Sequence, residues 1–382
     1  MDLSLMESFP ARPEAQVTLA NWRTAPFSRW GFHHVREIVP SADIANDRKT
    51  VRELPRQPTA LPLGSLEETD TDAIVVLHKG RILYEHYAHG MTGDDPHILM
   101  SVSKSMLGLL AGILVSRNIL ELERPVVDVV PELKATAYNG AAIRHLLDMR
   151  AGIAFDEDYL ATSGPIVEYR KATAWNPLGP GEVASDLRSY FSQLKKTDGK
   201  HGGRFHYVSP NTDLLGWVIE RCAATRYADL MSELLWKPLG AERSAYITVD
   251  RLGAPRCAGG MCATARDLAR VGQLVVEGGK GIVPAQWIED LYENGDPKAW
   301  DDGPFVEYFG RLPMHYRAKW YVVRGPQPLL LAFGIHGQHL FIDRDAELVI
   351  AKFSSQAMPL DAARMAATLA LVEQVRSALR GA

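Results

Sequence analysis

Two short runs, Ala73–Leu77 and Ile82–Tyr87, are rich in β-branched and aromatic residues and flank Lys79-Gly80. That pattern predicts a β-hairpin. Near the other end of the chain, "HLFID" and "ELVIAKFSS" predict a second hairpin turning at Arg344-Asp345. Between these regions the apolar period becomes helical. Leu99 to Arg117 reads as one helix that is apolar on nearly every side, so it is expected at the centre of the fold. "AAIRHLLDMRAGI" predicts a short amphipathic helix ending near Gly152. "NTDLLGWVIERCAATRYADLMSELLW" carries helical spacing after a cap at Asn211 or Thr212. Another helix runs from about Thr264 to paired glycines, and the C-terminal stretch from "LDAARM" onward forms an amphipathic helix.

Two regions lack a clear period. Residues 1–70, rich in Pro, Arg and Trp, are expected to form an arm draped over the core, and 155–203 are polar and punctuated by Gly and Pro. Strands at both ends with helices between them predict an α+β fold: an antiparallel sheet flanked by helices, an α/β sandwich, with a mainly helical subdomain inserted. The expected boundaries are 1–70 for the arm, 71–135 with 245–382 for the α/β domain, and 136–244 for the helical subdomain. The active site is expected in the cleft between the last two.

Composition narrows the function classes. The 382 residues are 46% hydrophobic and 23% charged, with a net charge of -4. That balance carries no basic footprint for nucleic acid or an anionic membrane. Cys222, Cys257 and Cys262 are too few for a disulfide framework, and no histidine stands at zinc-ligand spacing from them, so no metal is expected. The first residues, "MDLSLMESFPARPEAQ", have no apolar core of a signal peptide, and no run approaches a membrane span. The expected compartment is the cytoplasm.

The candidate chemistry lies at the start of the apolar helix, in Ser101-Val102-Ser103-Lys104. Positions i and i+3 share a helix face, so Ser101 and Lys104 can touch. A serine hydroxyl needs a base to become a nucleophile, and a lysine serves as one when burial lowers its pKa. The helix N-terminus adds free N–H groups beside Ser101 that suit a developing oxyanion. A second Ser-x-x-Lys, Ser192 to Lys195, runs into a polar loop and reads as surface. Tyr207, in "FHYVSPNTD", stands before a helix, where a phenol acidified by a cationic lysine would shuttle protons. "AFGIHGQ", residues 332–338, brings two glycines to a strand start, where a backbone N–H would complete an oxyanion hole. No G-x-S-x-G, H-E-x-x-H, Walker A or G-x-G-x-x-G is present.

Together, "SVSK", Tyr207-Val208-Ser209 and the Gly-rich strand motif resemble the three signatures of serine β-lactamases, penicillin-binding proteins and related carboxylesterases. The likeness is closest to the 6-aminohexanoate-dimer hydrolases. It extends to "NWRTAPFSRWGFHHVREIVPSADI", "FDEDY", "YVSPNTDLLGWVIER", "TARDLARVG" and "GIHGQHLFID", so it covers nearly the whole chain from Asn21. The resemblance implies that Ser101 is the acylated nucleophile, Lys104 its base and Tyr207 the proton relay to the leaving group. It implies an oxyanion hole from the backbone amides of Ser101 and Ile335, and substrate contacts from Tyr159, Trp175, Ser209 and His336. It also implies a homodimer, although the sequence shows no isolated apolar stripe for one.

Two departures stand out. Ala332 occupies the place where lactamases carry a cation for the substrate carboxylate, and no acidic residue stands out as an activator of a deacylating water. The expectation is a cofactor-free serine hydrolase of short carboxylic esters and linear amides of the 6-aminohexanoate-oligomer type, working through an acyl-enzyme. A β-lactamase or DD-peptidase-like enzyme and an inactive ligand-sensing relative are the alternatives. The effect of Arg170 and Ala258 on the pocket is left open by the sequence.

Overall fold

The computed structural model describes residues 4–64 and 66–380. Its strands are β1 (Ser41–Ile44), β2 (Thr71–His78), β3 (Arg81–Tyr87), β4 (His97–Ile98), β5 (Ala245–Thr248), β6 (Met261–Ala263), β7 (Met314–Arg317), β8 (Trp320–Val323), β9 (Leu329–Gly334), β10 (Gln338–Asp343) and β11 (Leu348–Ser354). The helices that matter below are α1 (Val102–Ser116), α2 (Ile143–Leu147), α3 (Pro165–Ala172), α4 (Leu187–Phe191), α5 (Ser209–Ala223), α6 (Ala265–Val276) and α7 (Ala362–Arg380).

The main sheet is antiparallel throughout and runs β3-β2-β11-β10-β9-β8-β7. The two predicted hairpins sit side by side in it, with β2 paired to β11. Side chains alternate faces along a strand. In β2, Ala73, Val75 and Leu77 therefore join the core that contains α1 and α6, whereas Ile74 and Val76 join the core under α7. Burial on both faces explains why "AIVVL" is apolar without a break. Each fully buried Val or Leu contributes about 1.5–3 kcal/mol of transfer free energy. The family-level α+β expectation holds, with helices over both faces of the sheet.

Helix α1 is the centre of the molecule, and every residue from Val102 to Leu114 is buried. A Cβ at Gly108 would lie 2.2 Å from the Ala318 carbonyl, so only glycine lets β8's approach lie this close to the helix. The Ser105 hydroxyl donates to the Lys319 carbonyl at 2.7 Å and ties the helix to the same loop.

Several local expectations fail. A second, four-stranded sheet, β1-β5-β6-β4, has no counterpart in the sequence reading. Its strands are two to four residues long, too short to show a period. It also draws residues 41–44 out of the expected arm and into a sheet. Helix α2 stops at Leu147, before Gly152, and α5 begins at Ser209 with Val208 at its cap, upstream of Asn211 and Thr212. Pro210 explains the shift: it sits in the first turn, where a missing N–H costs nothing. The rest of the arm folds back so that Trp22, Phe32 and Val35 pack with Ile98, Met100 and Trp175. Among the described residues no helix is long and apolar enough to cross a membrane.

Candidate active site

Ser101 stands where β4 turns into α1. Met100, just before it, has a φ of 44°, a left-handed conformation that is uncommon for a side chain of this kind. The turn leaves Ser101 at the helix N-cap. Among the described residues no protein oxygen takes up the backbone N–H of Ser101 or of Ile335. Both residues line one cavity. Gly334 matters here, because a Cβ on it would fall 2.8 Å from the Leu99 carbonyl and 2.9 Å from the Ser101 nitrogen. The end of β9 is therefore pressed directly against the helix start.

Lys104 is 1% exposed. Its Nζ lies 2.8 Å from Ser101 Oγ, 2.6 Å from the Ala258 carbonyl and 3.2 Å from Ser209 Oγ. Among the described residues no carboxylate pairs with it. Burial lowers its pKa to about 7; the charges of Glu157 and Asp213 hold it up, and that of Arg256 pushes it down. The positive end of α1, one turn away, disfavours an ammonium further.

Tyr207 is buried with its ring 4.7 Å from Lys104 Nζ and 5.0 Å from the ring of Phe305. The sequence reading expected a phenol acidified by a cationic lysine. The structure gives the opposite direction: burial, reinforced by Glu157, pushes the phenol well above its usual value, and a contact with Ser101 offsets only part of this. The same dehydration weakens the lysine's hold on its proton and strengthens the phenol's. Tyr207 is thus a neutral donor at ordinary pH.

The other expected residues divide. Tyr159 and Trp175 line the cavity with Ser101, Ser209 and Ile335. Trp175 is fixed by its Nε1–H, which donates to Thr248 Oγ1 at 3.0 Å. Ser209 also touches Lys104 and so stands beside its amine. His336 does not line this cavity. It borders an adjoining outer cleft, its Nδ1 is 2.7 Å from the Gln356 carbonyl, and burial lowers its pKa to about 4. Ala258, undecided from sequence, supplies the carbonyl that holds Lys104. Ser192 and Lys195 of the second Ser-x-x-Lys are exposed.

Several residues in or behind the cavity wall escaped the sequence reading. Glu157 lies in the cavity, accepting the Ser209 backbone N–H at 2.8 Å and the Tyr159 hydroxyl at 3.3 Å. It is the acidic residue that the polar, aperiodic stretch concealed. Asp213 is buried, accepts the Ala258 backbone N–H at 2.7 Å, and binds both Arg256 and the Tyr169 hydroxyl. It thereby fixes the segment whose carbonyl holds Lys104. Asp213 stands four residues after Ser209, on the same helix face, and that spacing was a usable signal. Arg23 and Arg256, which also line the cavity, had none.

A serine hydroxyl, a dehydrated amine and a protonated phenol thus meet at one helix start. The β-lactamase family profile matches residues 65–374. The chain belongs to the β-lactamase family. It is 35% identical to the 6-aminohexanoate-dimer hydrolase of Paenarthrobacter ureafaciens over 358 residues, covering 91% of this chain and 90% of that one. A Bacillus anthracis protein provisionally assigned as a 6-aminohexanoate-dimer hydrolase superposes with a TM-score of 0.86 at 26% identity, covering 96% of this chain and 98% of its own. EstCE1, a hydrolase with promiscuous acyltransferase activity, shares the fold at a TM-score of 0.64 and 17% identity, over 81% of this chain and 95% of its own. Within the β-lactamase family the chain is a serine hydrolase.

Proposed function

We propose that the protein cleaves short carboxylic esters and linear amides through an acyl-enzyme on Ser101, with Lys104 as base and Tyr207 as acid. The observation that carries this reading is the 2.8 Å contact between Ser101 Oγ and an Nζ that is buried and has no carboxylate partner. A neutral amine has two N–H donors and one lone pair. The Ala258 carbonyl can only accept, so it takes one N–H. Ser209 Oγ takes the other, and the lone pair faces the Ser101 hydroxyl. Ser101 Oγ attacks the substrate carbonyl while its proton moves to Lys104. The backbone N–H groups of Ser101 and Ile335 hold the oxyanion. Tyr207 gives its proton to the leaving amine or alcohol and is reprotonated from Lys104, which returns the base to its neutral form. Water then cleaves the acyl-enzyme to release the acid.

The name of the Paenarthrobacter relative denotes cleavage of a linear amide, which favours the amide arm of this reading. Ala332 is buried in the sheet core and offers no cation at the place where lactamases hold a carboxylate, so β-lactams are poor substrates in this scheme. A fluorophosphonate probe is expected to label wild-type protein and to leave Ser101→Ala unlabelled. A parallel screen of p-nitrophenyl esters, 6-aminohexanoate dimer and nitrocefin is expected to give turnover of the first two. Nitrocefin turnover matching that of the esters would move the assignment to the lactamases, and a wholly inert, unlabelled protein would move it to a sensor.

A further inference from the structure

We propose that Arg170 and Arg23 form a carboxylate-recognising subsite in the Ser101 cavity, so that the preferred esters and amides carry one free carboxylate. This deepens the hydrolase reading above and rests on it. Both arginines line the cavity that contains Ser101, and both also line the outer cleft that shares Tyr159 and Ile335 with it. They therefore stand where a substrate would extend from the nucleophile towards solvent.

The charges around the cavity do not cancel. Arg256 is matched by Asp213. Glu157 is the remaining carboxylate of the lining, and its two oxygens already accept from Ser209 and Tyr159. Asp158 is exposed and makes its hydrogen bond to the backbone of Leu160. Among the described residues no carboxylate lies within ion-pair distance of Arg23 or Arg170. Arg170 is buried, and its Nη2 donates only to the Tyr159 carbonyl, at 2.9 Å. Arg23 donates to the Asn176 side chain, and its buried Nε has no acceptor. Counting Glu157 against the two free arginines leaves one positive charge, which fits a single carboxylate group, the rest of the ligand lying outside the subsite, better than a phosphate dianion.

The guanidinium groups are also held in place. Arg23 lies over the rings of Trp22 and Trp175, with centroids 5.5 and 5.7 Å away. Stacking on aromatic faces fixes the plane of the group without neutralising it. Burial and the repulsion of Arg170 and Arg256 lower the Arg23 pKa to about 9. Three guanidinium groups this close repel one another, and an anion bound among them relieves the repulsion. A single N–H donor would serve each of the present bonds to Tyr159 and Asn176, so those bonds do not account for one buried and one half-buried cation.

The test uses the full chain. Ser101→Ala protein is titrated calorimetrically with adipate, 1,6-hexanediol and 1,6-diaminohexane. Adipate is expected to bind about tenfold more tightly than either control, as one charge-assisted contact implies, and to weaken with salt. Arg170→Gln, which keeps a donor for Tyr159, is expected to lose that margin. Arg23→Lys is expected to keep most of it. In turnover, mono-p-nitrophenyl adipate is compared with p-nitrophenyl hexanoate, and p-acetoxybenzoate with its methyl ester, to place the carboxylate on the acyl or the alcohol side. One of the two pairs is expected to favour the anion about tenfold in kcat/KM, with the ratio falling towards one in Arg170→Gln. Turnover without preference in either pair, or diamine binding as tightly as adipate, overturns the subsite while leaving the hydrolase intact. Adipate binding that depends on Arg170, in a protein that turns over no ester, keeps the subsite and overturns the hydrolase.

Discussion

Replacing Lys104 by Met keeps the bulk of the side chain and removes its titration. In the folded protein the amine has a pKa of about 7, against 10.5 when unperturbed. A displacement of that size corresponds to about 5 kcal/mol. Its sign follows from linkage. Between the two values the unfolded chain holds a proton that the folded chain has lost, so stability rises with pH across that window. Below pH 7 both states are protonated and the term is flat, at its most unfavourable level. From pH 7 to 9 the Lys104 contribution alone adds roughly 2 kcal/mol to the stability of the wild type. Lys319 and Lys352 are also buried with lowered pKa values and add slopes of the same sign, so a single titration of the wild type is ambiguous. The difference between wild type and Lys104→Met cancels the Lys352 term and the burial part of the Lys319 term; the smaller part of the Lys319 shift that comes from the Lys104 charge is lost together with Lys104. Urea unfolding at pH 7 and pH 9 measures it. Lys104→Met is expected to be the more stable protein at pH 7, less about 1–3 kcal/mol for leaving the Ala258 carbonyl without its donor. The advantage should shrink by roughly 2 kcal/mol at pH 9. Its kcat/KM is expected to fall by about 10²–10⁴, the usual contribution of a general base. The wild-type profile should rise through a single limb near pH 7. A stability difference that is independent of pH, or a limb near pH 10, would refute the dehydrated-amine argument.

Tyr207→Phe is expected to slow amide cleavage far more than cleavage of p-nitrophenyl esters, since only the amine leaving group needs a proton; equal losses on both substrates would remove the phenol from that role. Glu157→Gln removes a negative charge that stabilises the Lys104 ammonium, so the limb of the kcat/KM profile should move to lower pH, and an upward move would contradict the assigned sign. Gly334→Ala places a methyl 2.8 Å from the Leu99 carbonyl and 2.9 Å from the Ser101 nitrogen, so the backbone has to shift; the variant is expected to cut kcat and to lose about 1–3 kcal/mol of stability, checked by kinetics beside urea unfolding. Asp213→Ala strands Arg256 in the interior and should cost about 3–5 kcal/mol in urea unfolding.

What the sequence disclosed follows a physical pattern. Helix α1 was legible because its burial is complete, and complete burial writes apolar residues on every face. Ser101 and Lys104 were legible because their contact is local, three residues along one helix. The two hairpins were legible because their strands are six to eight residues long. The second sheet was hidden because strands of two to four residues carry no period. Glu157, Arg23 and the Asp213–Arg256 pair were hidden because their partners lie far along the chain, 43 residues for Arg256 and Asp213. The direction of the Tyr207 shift is missed from sequence because the phenol's own burial, which outweighs any nearby charge, does not show in a local pattern.

The Trp22 indole N–H donates to the Trp175 carbonyl at 3.3 Å, and the two rings meet edge to face at 5.3 Å. Segments 153 positions apart are thus one wall. Anyone diversifying this scaffold towards new substrates by randomising 155–180 alone would be carving half of a mould; positions 22 and 23 belong in the same library.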